Sequence, residues 1–150
     1  SRMWAMLGPY CDRINIYDGA EVFLSGWQNT PQAAADLFAA NWCQEEVCNG
    51  GFHQFFMNST GVLGPEAAVG FERIGMKKTS ALIRRALAFF GEDYPRARDV
   101  RVRKLDEYAR AHPESPKPFD AVDDEFYVLL RSEANGWPNA ADSYAIRHGG

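Results

Sequence analysis

The sequence predicts an all-α fold, a single compact multi-helix domain with irregular loops, spanning residues 1–150. Three observations lead there. Apolar residues recur at helical spacing in several windows, proline and glycine stand where helices start and stop, and no β-branched run alternates with polar residues as a half-buried strand requires. Of the 150 residues, 46% are apolar and 24% charged, which suits one real core. A globule of this length hides roughly 70% of the surface its unfolded chain exposes.

The first element starts at Asp18-Gly19-Ala20-Glu21, with Asp18 as N-cap and Glu21 three residues on as its capping-box partner, and runs to about Trp27. Thr30 then caps, and Pro31 opens, a longer helix to about Cys48, in which Ala34, Leu37, Phe38 and Trp42 make one buried stripe. Asn49-Gly50-Gly51 ends it, because glycine adopts the backbone conformations that close a helix. Phe52 to Met57 forms one or two turns pinned to the core by Phe52, Phe55 and Phe56, and Asn58 to Gly64 is a loop. Pro65-Glu66 opens a helix that Gly75 closes.

Lys78 to Phe90 carries the clearest apolar face, Leu82, Ile83, Ala86, Leu87 and Phe90, and stops at Gly91. Arg96 to Ala111 reads as a solvated helix, with Arg96/Asp99, Asp99/Arg103, Arg103/Glu107 and Asp106/Arg110 one turn apart. Residues 112–118, with three prolines, form a Pro-rich loop; Phe119 to Ser132 is helical with Phe126, Leu129 and Leu130 inward; residues 133–150 are an irregular tail anchored by Trp137. Ser1-Arg2 ahead of Met3 has the form of a cloning scar.

Composition limits the function classes. Residues 1–60 carry 2 basic and 6 acidic side chains, residues 61–110 carry 11 and 7, and residues 111–150 carry 3 and 7. A nucleic-acid binder shows a basic excess that survives summation, and the net charge of −4 argues against direct nucleic-acid binding. There is no apolar run of the ~20 residues a membrane span needs, and no signal-peptide pattern, so the cytoplasm is the expected location. Cys11, Cys43 and Cys48, an odd number, are expected as buried free thiols.

Chemistry is hard to place. Cys43-x4-Cys48-x4-His53 is too widely spaced for a zinc site, and its cysteines diverge around a helix, so no metal is expected. Gly50-Gly51 lacks the strand and lysine of a phosphate loop, and no cofactor is expected. No catalytic residue is assigned; the one enzymatic alternative uses His53 and Glu46. Glu45 and Glu46 stand in the last turn of a helix, where they oppose its dipole. A carboxylate reaching over the Gly-Gly corner to cap the free N–H groups of the Phe52 helix would compensate.

Trp42, Glu46, Val47, Asn49, Gly50, Gly51, Phe52, Gln54, Phe55, Phe56, Asn58, Ser59, Thr60 and Gly61 form a motif that resembles the signature of the bacterial DNA mimic protein nineteen family, also catalogued as a domain of unknown function. Ile16 to Gly19, Phe71 to Gly75 and Asp123 to Tyr127 agree with it, so the likeness covers roughly Trp4 to Leu130. The resemblance implies an all-helical and often dimeric protein without established catalytic residues. It implies a non-enzymatic, protein-binding inhibitor with two partner classes. A DNA mimic would block a DNA-binding regulator; an immunity or antitoxin protein would occlude a toxin or secreted effector.

Duplex DNA presents one charge per ~1.7 Å, so mimicry requires carboxylates segregated onto one face. The candidate partner surface is Asp120, Asp123, Asp124 and Glu125: the three aspartates lie at i, i+3 and i+4, on one side of a helix whose Phe126, Leu129 and Leu130 turn inward. The same aspartates also suit a helix start. Glu46, Asn49, Gly50, Gly51, Phe52, Gln54, Phe55, Phe56, Asn58 and Gly61 are expected to build a structural corner.

Overall fold

Helix ends, more than helix faces, set the architecture. The computed structural model describes residues 1–149, and the regular elements among them are all helical: α1 (Arg2–Cys11), α2 (Ala20–Gln28), α3 (Gln32–Met57), α4 (Gly64–Ile74), α5 (Lys77–Leu87), α6 (Arg98–Ala111), α7 (Asp120–Ser132) and α8 (Trp137–Arg147). Single 3-10 turns sit at Ser59–Leu63, Ala88–Phe90 and Glu133–Asn135. Among the described residues, no helix is long and apolar enough to cross a membrane.

Helix α3 is central and is packed by α1, α4, α6, α7 and α8. The single stripe expected for it understates its burial, since every residue from Ala34 to Ala40 is inside, the acidic Asp36 included. A helix buried all round is apolar all round, and the polar exception is satisfied: Asp36 accepts hydrogen bonds from Arg73 Nη1 at 3.1 Å and Tyr144 Oη at 2.7 Å. The small residues let α4 approach so closely that a Cβ on Gly70 would lie 2.6 Å from the Asp36 carbonyl oxygen.

The bend expected at the double glycine is present inside α3. Gly50 (φ −154°, ψ 22°) and Gly51 (φ 75°, ψ 178°) both leave helical geometry, and the second combination is open essentially to glycine alone. Beyond it, residues 52–57 form a second arm whose Phe52, Phe55 and Phe56 are wholly buried. Phe52 packs edge-on against Phe126 with centroids 5.2 Å apart, and Phe56 against Phe90 at 4.9 Å. Such pairs contribute ~0.5–1.5 kcal/mol each beyond area burial.

Several expectations need correction. Residues 133–150 are not an irregular tail, because α8 fills 137–147 and buries Trp137, Ala140, Ala141, Tyr144 and Ala145 on one face. Helix α1, in a stretch where the sequence predicts no element, buries Met3 and Leu7 and packs on α8. Asn58 to Gly64 is a 3-10 turn more than a loop. Asp18 and Thr30 do not cap α2 and α3, whose N-caps are Gly19 and Pro31 without side-chain bonds. Of the ion pairs expected on α6 only Arg103–Glu107 forms, at 4.0 Å, while Arg96 lies ahead of the helix and pairs with Glu66. Cys43 is buried, but Cys11 and Cys48 are exposed.

Helices α2 to α8 have no local side-chain cap. Carboxylates from the last third of the chain do that work for earlier helices. Glu133 accepts from the backbone N–H groups of Lys78 at 2.7 Å and Thr79 at 2.8 Å, at the start of α5. Asp142 Oδ1 accepts from Met3 N and Ser1 Oγ, both at 2.9 Å, at the start of α1. Each satisfies orphan donors where a negative charge also complements the helix dipole.

Candidate functional site

The motif around Gly50-Gly51 is held by two sets of bonds on either side of the bend. On one side Glu46 Oε2 accepts from Gln54 Nε2 at 2.7 Å and Asn58 Nδ2 at 3.0 Å, and Asn49 Nδ2 donates to Gln54 Oε1 at 3.3 Å. Of the two carboxylates from which a cap was expected, Glu46 spans the corner but binds side chains and not the free N–H groups of the second arm, and Glu45 makes no hydrogen bond there. On the other side Asp123, 71 residues away, supplies the cap: its Oδ1 accepts from Phe52 N at 2.8 Å. Tyr127 Oη adds a bond to the Val47 carbonyl at 2.9 Å.

Asp123 won that position because the glycine leaves room for it. A Cβ on Gly51 would collide with Asp123 Oδ2 and lie 3.0 Å from its Cγ. Burial raises the Asp123 carboxyl above the ordinary aspartate value; the Phe52 N–H opposes this, while the charges of Asp120 and Asp124 add to it.

The far end of the second arm is closed by a residue that sequence reasoning missed. Arg101, taken as part of a solvated helix, is fully buried. Its Nε donates to the Phe56 carbonyl and its Nη2 to the Asn58 carbonyl, both at 2.9 Å, and its Nη1 reaches the carbonyls of Pro95 at 3.0 Å and Arg96 at 2.7 Å. A guanidinium suits the task, since its planar fork offers five donors. Gly61 makes space for it, because a Cβ there would lie 2.8 Å from Arg101 Nε and 2.7 Å from the Phe55 carbonyl oxygen. The only available hint in sequence was the mismatch between Arg101 and the acidic partners one turn away that its neighbours have.

The acidic residues of α7 thus separate by role. Asp123 is half-buried at the corner, Glu125 pairs with Arg85 at 3.0 Å, and Asp120 and Asp124 are exposed. Phe126 and Leu130 are buried and Leu129 half-buried, so the inward face is as expected. His53, the alternative base, is half-buried with its Nδ1 unbonded, and it makes no hydrogen bond to Glu46. Cys48 and His53 do not join a cluster: among the described residues, no three His, Cys, Asp or Glu side chains converge as ligands.

Compared with known proteins, the chain matches the family model described as DMP19-like protein over residues 28–148. No curated protein and no solved structure matches it. The matched span takes in α3 through α8 and hence the whole corner, Arg101 and the α7 carboxylates.

Proposed function

The chain belongs to the DMP19-like protein family, and from that premise we propose that it is a non-enzymatic inhibitor that binds a DNA-binding protein and covers its DNA-facing surface. The observation that carries this reading is the division of roles among the polar groups. In the corner, Glu46, Asn49, Gln54 and Asn58 bond to one another and Asp123 bonds to backbone, so the motif is used in holding shape. On α7, Asp120 and Asp124 face solvent and form no ion pair among the described residues. Carboxylates in that state attract a basic partner surface and speed its approach.

The test is competition. A protein retained by the immobilised chain is challenged with excess duplex DNA, and its affinity is measured against Asp120→Asn/Asp124→Asn. Release by duplex, with weaker binding to the variant, is expected. A partner that resists duplex and whose toxic activity is blocked by the chain would replace this reading with the immunity one. An affinity indifferent to both charges and to salt would move the binding surface off α7.

A further inference from the structure

A second surface, remote in sequence from α7, carries its own chemistry. Between α1, the segment 12–17 and α3 lies a half-enclosed cleft of about 400 Å³, within the range of ~300–1,000 Å³ typical of small-ligand sites. Trp4, Tyr17, Phe38 and Trp42 are its aromatic lining residues, and Asp12 and Glu45 are its two acidic ones. No lysine, arginine or histidine belongs to its wall. Asp12 and Glu45 enter no ion pair among the described residues, and the neighbouring Arg13 turns its guanidinium over the Tyr10 ring instead, 5.7 Å from the centroid.

The cleft is held open by the fold. Ile14 and Ile16 are buried, which fixes the segment and leaves the alternate residue Tyr17 facing out, 78% exposed. Asn15 Oδ1 accepts from Tyr17 N at 2.9 Å and locks that turn. Trp4, which α1 contributes to the lining, is 47% exposed. Asn41, only 4% exposed, forms part of the wall; its Oδ1 accepts from Gln44 Nε2 at 3.2 Å, and its Nδ2 has no bonding partner among the described residues.

We propose that this cleft receives an arginine side chain of a protein partner. Aromatic faces attract a guanidinium, which stacks on them, and two unpaired carboxylates supply the acceptors that its fork of donors requires. This inference rests on the reading that the protein acts by binding another protein, and it names the side chain that is recognised.

The probe is the peptide acetyl-Gly-Arg-Gly-amide, compared with its citrulline counterpart, which keeps the shape and loses the charge. Binding is followed by the four indole N–H resonances of the full chain, with Trp27 and Trp137, outside the cleft, as internal references. Saturable shifts of Trp4 and Trp42 are expected, with the citrulline peptide at least about tenfold weaker. Glu45→Gln and Asp12→Asn should each weaken the arginine peptide, whereas Asp106→Asn on α6, which makes the same change in net charge, should not. Shifts that do not saturate, equal binding of citrulline, or equal weakening by Asp106→Asn would overturn the proposal. That failure would leave the partner-binding reading of α7 standing; conversely, a cleft that binds arginine while the captured partner ignores duplex DNA would remove the DNA-mimic reading alone.

Discussion

Replacing Gly51 by alanine tests the corner at its most constrained point. At φ 75° and ψ 178° the residue occupies a region that costs a side-chain-bearing residue ~1–3 kcal/mol. The added methyl would also collide with the Asp123 carboxylate and drive it from the Phe52 N–H, and the loss of such a cap costs ~1–2 kcal/mol. Together the expected destabilisation is ~2–5 kcal/mol, a large fraction of the ~5–15 kcal/mol that holds a domain folded. Asp123→Ala alone should cost only the cap, ~1–2 kcal/mol. In the double variant the cap is lost once, not twice, so the two effects should fall short of additivity by ~1–2 kcal/mol. Urea unfolding followed by tryptophan fluorescence and by far-ultraviolet circular dichroism measures all four proteins, with the slope checked for constancy. An unchanged midpoint for Gly51→Ala, or strict additivity in the cycle, would refute the account of glycine and carboxylate as one device.

Arg101→Met should destabilise by at least ~3 kcal/mol in the same assay, because it strips four carbonyl acceptors of their donor inside the protein. Arg101→Lys should recover little, since an ammonium cannot span the fork. Glu133→Ala should cost ~1–2 kcal/mol and speed hydrogen exchange at the Lys78 and Thr79 amides relative to those later in α5. Asp123 predicts a pH effect of unusual sign. Its folded carboxyl holds the proton to higher pH than the unfolded chain does, so the stability linked to that proton is fully present below the ordinary aspartate value of ~3.9 and is lost as pH rises through the raised folded one, while the bond to Phe52 N remains. Asp123→Asn should flatten the stability profile across that window, and an unaltered profile would contradict the burial argument.

Much of the fold was legible from local signals. Glycines at 50, 51, 75 and 91 mark real breaks, and the phenylalanines of the second arm and the apolar face of α5 point where their spacing says. Helix α8, where an irregular tail was expected, has legible signals of its own: Pro138 stands in its first turn, and Ala140, Ala141, Tyr144 and Ala145 have the spacing of one buried face. The caps were illegible for a physical reason. Capping rules describe a residue at the helix's own start, and Asp123, Glu133 and Asp142 reach theirs across 71, 55 and 139 positions. For the same reason local spacing points to Glu45 or Glu46 for the task that Asp123 performs. Arg101 gives a single local sign, the lack of an acidic residue one turn away, and the four carbonyls that draw it inward come from segments its own helix spacing does not reveal.

The distance of those caps bears on how the chain is made. A ribosome delivers α1, the second arm of α3 and the start of α5 well before it delivers the three carboxylates that finish them. Until then α1 has only its local Ser1 cap on Trp4 N, the leading N–H groups of the other two can bond only to water, and short helices in that state are marginal. The emerging chain therefore exposes its phenylalanines until α7 and α8 follow, the condition in which chaperones bind and aggregation competes. Folding is deferred until α7 and α8 emerge, and a ribosome stalled ahead of Asp123 should hold a chain that proteases still cut freely between residues 49 and 60.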